Sequence, residues 1–415
     1  MHKIDAAFRG ETDLDVYIPS VNVDEIVKIL ADAGWKRFLA QVEFEGISHW
    51  FYYDDNSFRF YHLHIYHVMR TGPTYSKHFL IEGFDSLNPK YQLINGLRVF
   101  DKETNLKIHR TRLILKKHSL LAKLFVKREV GKHKKEETFV SNLSSNNLKV
   151  DDSIFTHKIY KKFGYFLIVK NIIYRMISKI LRKRKKLPRG ICVAVIGTDG
   201  AGKTTLVKES ARILSNNLTV YNISFGRPSF SVLTAPLWIA RIFINAIKPI
   251  KTKAQINSRK SETSLLRAIY HICIALERLY VCRRINLRRS KGCCVIVDRC
   301  PSMQIGQMDA PKIIHRGGFI KYLAKLEIYI YRHMSIFDLA IKVEVELKNV
   351  IERNRKRVKS GKESDQEVEQ RFSLFEDFVP YSKHMTSVDG NGELKTTLQR
   401  LVSVIFSSIP AASIK

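Results

Sequence analysis

The stretch ICVAVIGTDGAGKTTL, from Ile191 to Leu206, constrains the fold more than any other part of the chain. Ile191 to Ile196 is a continuous, β-branched apolar run, the pattern of a strand covered on both faces in a parallel sheet. Gly197, Gly200 and Gly202 then remove the Cβ atoms that would hold the backbone away from a polyphosphate, so successive N–H groups can turn inward as donors. Lys203 places a cation where β- and γ-phosphate oxygens would lie. Thr204 offers a hydroxyl to Mg2+ at the positive end of a helix starting there. The spacing G-x-x-x-x-G-K-T is met in full. The cradle for a nucleoside triphosphate therefore comprises Gly197, Asp199, Gly200, Ala201, Gly202, Lys203, Thr204 and Thr205, with ATP and Mg2+ as the implied cofactors.

Around this loop the chain alternates helix and strand patterns. A helix from Thr204 to Leu214 leads to a strand from Leu218 to Phe225, which ends in Gly226-Arg227-Pro228. A helical stretch from Ser264 to Ile285 precedes a strand from Cys293 to Val297, closed by Asp298-Arg299. That rhythm predicts a doubly wound α/β sheet of the P-loop NTPase type, whose ligands bind outside the carboxyl ends of the strands. Asp298 falls where such a fold needs a second carboxylate for Mg2+, held directly or through water. Its follower is Arg299, whereas an acidic neighbour would favour an ATPase that activates water; arginine supplies charge for a second phosphate. No N-K-x-D guanine-reading motif is present, which disfavours a GTPase switch.

At 415 residues, with 45% hydrophobic and 27% charged content, the chain has material for two or three cores. No apolar span reaches the roughly 20 residues of a membrane helix, and no cleavable apolar leader is evident, so a cytoplasmic protein is expected. The six cysteines lack C-x-x-C or Cys/His ligand spacing and read as reduced, buried thiols. The formal net charge of +32 attracts phosphates, nucleic acid or anionic lipid without choosing among them.

Residues 1–128 alternate apolar strands with a helix from Val23 to Ala33, the pattern of a smaller α+β domain. In GETDLDVYIP, Gly10 to Pro19, Asp13 and Asp15 project to one side of a strand, where two carboxylates can share a divalent cation. This stretch resembles the metal-binding strand of polymerase-β-like nucleotidyltransferases. In FRFYHLHIYHVM, Phe58 to Met69, His62 and His64 stand where that resemblance implies a third carboxylate. A degenerate domain of that fold, kept for binding or scaffolding, is expected. With no Cys, Asp or Glu at ligand spacing nearby, His62, His64 and His67 read as polar residues on an exposed strand face.

Residues 129–158 turn to Lys, Ser, Asn and Glu without apolar periodicity, as a linker does. Residues 159–188 read as a basic amphipathic helix, apolar first and then carrying Lys179, Arg182, Lys183, Arg184, Lys185 and Lys186. Such a segment either packs on the kinase-type core with its basic end in water, or uses residues 179–186 for peripheral contact with anionic membrane or nucleic acid.

Residues 189–415 form the last expected domain. VIGTDGAGKTTL from Val195, VIVDR from Val295, FDLAIKVEV from Phe337 and the strand end at Ser387–Asp389 resemble thymidylate kinase and its relatives. The resemblance implies that Asp199 contacts the sugar hydroxyl of an acceptor nucleotide, that Arg299 contacts its phosphate, and that Arg227 does similar work. It implies a lid over VIERNRKRVKSGKESDQEVEQR, Val350 to Arg371, with Arg353 and Arg357 one helical turn apart and able to close over the transferring phosphoryl group. A homodimer is a further expectation. Cys300-Pro301, the stretch QMDAP from Gln307, and the apolar Ser229–Ile250 segment depart from the housekeeping enzyme. They resemble a divergent branch fused to a nucleotidyltransferase-like domain. The catalytic set is then Lys203, Asp298, Arg299, Arg353 and Arg357, with metal at Thr204 and Asp298, acting by positioning and charge neutralisation on a dTMP-like or other small phosphorylated acceptor. Two other classes remain open, a nucleic-acid-binding ATPase and a membrane-associated scaffold.

Overall fold

The computed structural model describes residues 4–18, 23–40, 43–71, 79–81, 90–94, 97–101, 103–106, 108, 159–161, 173, 177, 184–226, 263–315, 317–356 and 364–411. The chain divides into two compact units, Met1–Lys185 with Ala411–Lys415, and Lys186–Pro410.

The first unit is α+β. Helix α1 (Ile4–Phe8) precedes strand β1 (Leu14–Tyr17), helix α2 (Val23–Asp32), and strands β2 (Lys36–Phe38), β3 (Ile47–Asp54) and β4 (Arg59–Tyr66). These strands form one sheet in the order β1-β4-β3-β2. Strands β2, β3 and β4 run as an antiparallel meander, and β1 joins β4 in parallel. Trp50, Phe38 and Phe51 are almost fully buried, the two phenylalanines stacking at 4.5 Å, so aromatic cross-strand packing supplies the core. Two smaller sheets follow. Strands β5 (Met69–Thr71), β6 (Phe79–Ile81) and β9 (Ile159–Lys161) form one, β7 (Tyr91–Ile94) and β8 (Leu97–Phe100) the other. The residues at 159–161, expected to open the basic helix, are thus a strand paired antiparallel to β6. The linker at 129–158 and basic residues 179–183 lie outside the described residues.

The second unit is a P-loop NTPase α/β fold. Strand β10 (Ile191–Gly197) leads to α3 (Lys203–Leu214), β11 (Val220–Ser224), α4 (Leu265–Ser290) and β12 (Cys294–Asp298). Helix α5 (Gly318–Arg332), β13 (Phe337–Glu344), α6 (Leu347–Lys356), α7 (Asp365–Glu376), β14 (Ser382–Asp389) and α8 (Leu394–Ser407) complete it. All five strands are parallel, in the order β11-β12-β10-β13-β14. Every residue of β10 is buried, as its unbroken apolar run requires. Cys192, Ala194, Ile196, Val295 and Val297 meet α4 and α5 on one face. Helices α3 and α8 pack together, with Leu401, Val402 and Ile405 of α8 fully buried.

The order of strands places the site. The chain leaves β10 for the edge strand β11, returns to β12 beside β10, and then crosses to β13 on the other side. The carboxyl end of β10 is therefore the point where connections diverge, which opens a crevice there. The stretch expected as one lid helix is two, α6 and α7, with 357–363 outside the described residues. Ser364 caps α7 in a reciprocal box with Glu367, a local signal that starts a new helix there.

Candidate active site

The turn after β10 has the backbone of an anion cradle. Gly200 and Gly202 adopt φ of +104° and +82°, conformations that a side chain resists. A Cβ on Gly200 would also lie 3.1 Å from Cγ1 of Val350 on α6, so the loop and that helix approach closely. Helix α3 begins at Lys203, immediately after Gly202, which aims its free N–H groups and positive dipole end at the crevice.

Lys203 is buried, donating to the Thr198 carbonyl at 2.7 Å and standing 3.6 Å from Asp199. Burial is the main reason its pKa falls below the usual lysine value, with Asp199 opposing. An ammonium held this way has little water to lose and is primed for an incoming anion. Ala201 is buried in the turn, whereas Thr204 and Thr205 face solvent on the first turn of α3. Thr204 Oγ1 donates to Asp298 Oδ2 at 3.0 Å, and Asp298 Oδ1 is buried without a hydrogen-bond partner. A hydroxyl beside a carboxylate with one orphaned buried oxygen is a hard-oxygen set that fits Mg2+. Pairing of β12 beside β10 brings the two together.

Asp199 is the hub of the loop. Besides Lys203 it contacts Arg299 Nη2 at 3.4 Å and Arg371 Nη1 at 3.3 Å. Burial pushes its carboxyl pKa up, but Lys203, Arg299 and Arg371 together hold it below the usual aspartate range. Arg299 leaves β12 with φ of +81°, unusual for a residue other than glycine, while its N–H donates to the Val195 carbonyl. Its guanidinium also lies 3.7 Å from Asp309, a buried residue with φ of +57°. Asp309 in turn accepts from buried Arg278 of α4, which also donates to the Tyr331 hydroxyl of α5. The loop carrying Asp309 is tied down by Gln307, whose amide donates to the Asp377 carbonyl just after α7. One side of the crevice is therefore lined by arginines fixed by two aspartates.

The expected lid residues separate. Arg353 donates to the Gly390 carbonyl at 2.9 Å, which pins α6 to the loop after β14. Arg371, the last residue of the expected lid, reaches the loop instead. The sequence assigned it no role: it is the single cation of α7, but nothing local shows that the helix turns it toward Asp199. Asp309 and Arg278 were missed for the same reason. Arg227 and Arg357 lie outside the described residues, although Gly226 brings the chain beside Arg299: a Cβ there would lie 3.8 Å from its Cδ.

The first unit holds a second polar cluster. Parallel pairing sets Asp15 opposite His64, with His64 Nδ1 2.9 Å from the Asp15 carboxylate. His62 Nδ1 is 3.8 Å from Asp13. Burial, with Lys185 adding to it, pushes the His62 pKa down to about 3, so that contact joins a neutral imidazole to a carboxylate. Ligand atoms of Asp13, Asp15 and His64 lie within 4.8 Å of one another. The expectation of polar residues on an exposed strand face is thereby corrected: His64 is buried, and the carboxylates that reach His62 and His64 come from a strand far away in sequence rather than from ligand spacing nearby.

No protein-family model matches the chain. An uncharacterized ATP-binding protein of Escherichia coli K12, YghR, is 26% identical over 175 residues, covering 39% of this chain and 68% of its own length. A second from the same strain, the uncharacterized ATP-binding protein YghS, is 23% identical over 155 residues, 35% of this chain and 64% of its own length. Among solved structures, a deoxyadenosine kinase from M. mycoides with products dCMP and dCDP bound is 17% identical. It overlaps 52% of this chain and 98% of its own with a TM-score of 0.28, too low to carry any conclusion.

Proposed function

We propose that the second unit is an ATP- and Mg2+-dependent kinase that transfers the γ-phosphoryl group to a nucleoside monophosphate, dTMP-like, or a related small phosphorylated acceptor. The observation that carries this reading is the pairing of Arg299 and Arg371 on Asp199, beside the loop lysine. Two arginines there supply charge for a second phosphate, and among the described residues no carboxylate follows Asp298 to activate water. The two Escherichia coli relatives named as ATP-binding support the nucleotide, not the acceptor.

The transfer would break the bond between the γ-phosphorus and its bridging oxygen, with ADP leaving, and form one bond from that phosphorus to an acceptor phosphate oxygen. Loop amides and Lys203 would bind the β- and γ-phosphates and neutralise charge that builds on them. Thr204 and Asp298 would hold Mg2+, which screens the phosphate oxygens. Arg299 would orient the acceptor phosphate, and Arg371 would complete the charge over the transferred group once the anions displace Asp199 as its partner. Nearly all the catalysis is positioning and preorganised charge.

The test is ATP consumption against a panel of nucleoside monophosphates and sugar phosphates, comparing wild type with Lys203→Ala and Arg299→Ala. One acceptor should raise turnover well above the basal rate, and both substitutions should abolish the rise. Turnover that responds only to DNA, RNA or lipid would overturn the reading.

A further inference from the structure

Helices α4 and α5 pack side by side, with Ala268 and Ile272 meeting Ile320 and Ala324. Both nonetheless leave large apolar side chains in water. On α5, Phe319, Tyr322, Leu326 and Tyr329 are 66%, 67%, 44% and 60% exposed. Their spacing of three, four and three residues stacks them on one face. On α4, Leu276, Tyr280 and Leu287 are also exposed. They fall within a sector about 40° wide at 100° per residue.

The charges around these side chains have one sign. Arg267, Arg283 and Arg284 of α4 are exposed, as are Lys321, Lys325 and Arg332 of α5. The acidic residues of the two helices, Glu277 and Glu327, are both buried. Glu327 is turned inward, accepting the backbone N–H groups of Lys312 and Ile313. The outer surface of the pair is therefore aromatic, leucine-rich and exclusively cationic. That is the composition of an element lying in the headgroup region of an anionic bilayer, where aromatic rings sit at the interface and cations meet phosphates.

Other occupants fit less well. A second copy in a two-fold contact would bring these cations against the same cations. Nucleic acid would match the charge but leave the leucines unburied. We propose that the α4–α5 face docks on an anionic phospholipid surface, its aromatic and leucine side chains entering the acyl boundary. None of the described helices is long and apolar enough to cross a membrane, so the contact is interfacial. These residues are distinct in sequence from the basic run at 179–186, and the inference does not depend on the kinase reading.

The experiment is flotation of the full chain with phosphatidylcholine vesicles, with and without phosphatidylserine. The protein should float only with phosphatidylserine present. Lys321→Glu with Lys325→Glu, and separately Phe319→Ser with Tyr322→Ser, should each lower partitioning about tenfold or more. Lys321→Arg with Lys325→Arg should preserve it. Lys208→Glu with Lys395→Glu, an equal charge change at exposed positions on α3 and α8, should lower it by less than about threefold. Tyr329→Ser gives an independent lesion of the same face. The proposal is overturned if the α5 variants match the Lys208/Lys395 control, or if binding is equal without phosphatidylserine. It also fails if the wild type is a dimer that Phe319→Ser with Tyr322→Ser splits, or if α5 substitutions weaken duplex DNA binding while vesicles bind nothing.

Discussion

Asp309→Asn isolates the charge that holds two arginines in place. The side chains of Asp309 and Arg278 are only 6% and 7% exposed, so their interaction is barely screened and their desolvation is nearly complete. Removing the negative charge while keeping the shape leaves the buried Arg278 cation facing only neutral acceptors at that point, the new amide oxygen and the Tyr331 hydroxyl, and its Nε already lacks a hydrogen-bond partner. Breaking a buried pair from one side costs about 3–5 kcal/mol. For a unit of this size each kcal/mol lowers Tm by roughly 2–4 °C, so a fall of about 10 °C is expected. The double variant Arg278→Met with Asp309→Asn removes both charges, keeps a residue type that tolerates the +57° φ at 309, and should recover most of that loss, because removing both members of a buried pair leaves no uncompensated charge. The same aspartate stands 3.7 Å from Arg299, so Asp309→Asn should also raise KM for the acceptor about tenfold while leaving KM for ATP unchanged. Calorimetry and initial rates measure both. A single variant within about 1 kcal/mol of wild type, or a double variant less stable than the single, would refute this account of the pair.

Gly202→Ala should destabilise the unit by about 1–2 kcal/mol through backbone strain alone, since nothing crowds a Cβ there and φ is +82°; urea unfolding would show it, and an unchanged midpoint would contradict the positive φ. Asp199 has a folded pKa held below its usual value of 3.8, so its pairing stabilises the fold above that pH and the stabilisation is lost as pH falls through the folded value. The stability deficit of Arg371→Ala should therefore be constant near neutrality and shrink below about pH 4, a trend that unfolding titrations would refute if the deficit grew on acidification. Burial raises the thiol pKa of Cys282 and Cys294 to about 12, and Cys192 and Cys300 are raised as well. Ellman's reagent should react quickly with at most Cys273, the one cysteine not buried, until denaturant exposes the rest.

What the sequence disclosed was local. The loop from Gly197 to Thr204 is contiguous, and each residue type has a single physical reason to be there, so β10, the turn and α3 follow from it directly. Asp298 was legible because a strand pattern ended on it, and the pairing of β12 beside β10 then brings it to the loop. Arg371 reaches Asp199 across 172 positions of chain, and although it is the single cation of α7, nothing local shows which way that helix turns it. Arg353 looked equivalent to it and instead donates to the backbone at Gly390. Asp15 and His64 meet through parallel pairing, which strand patterns alone do not specify. Helix α5 drew no notice either, and its exposed aromatic face became visible only when the buried side was known.

The most direct test of the central claim is to follow label from γ-phosphate-labelled ATP onto the acceptor that the panel selects. Label should appear on the acceptor and not as free phosphate. Lys203→Ala should abolish transfer outright, and Arg299→Ala should abolish it at acceptor concentrations that saturate the wild type, by raising KM for that acceptor about 10²-fold with little change for ATP. Label released only as inorganic phosphate, at a rate that Arg299→Ala leaves unaltered, would contradict the account.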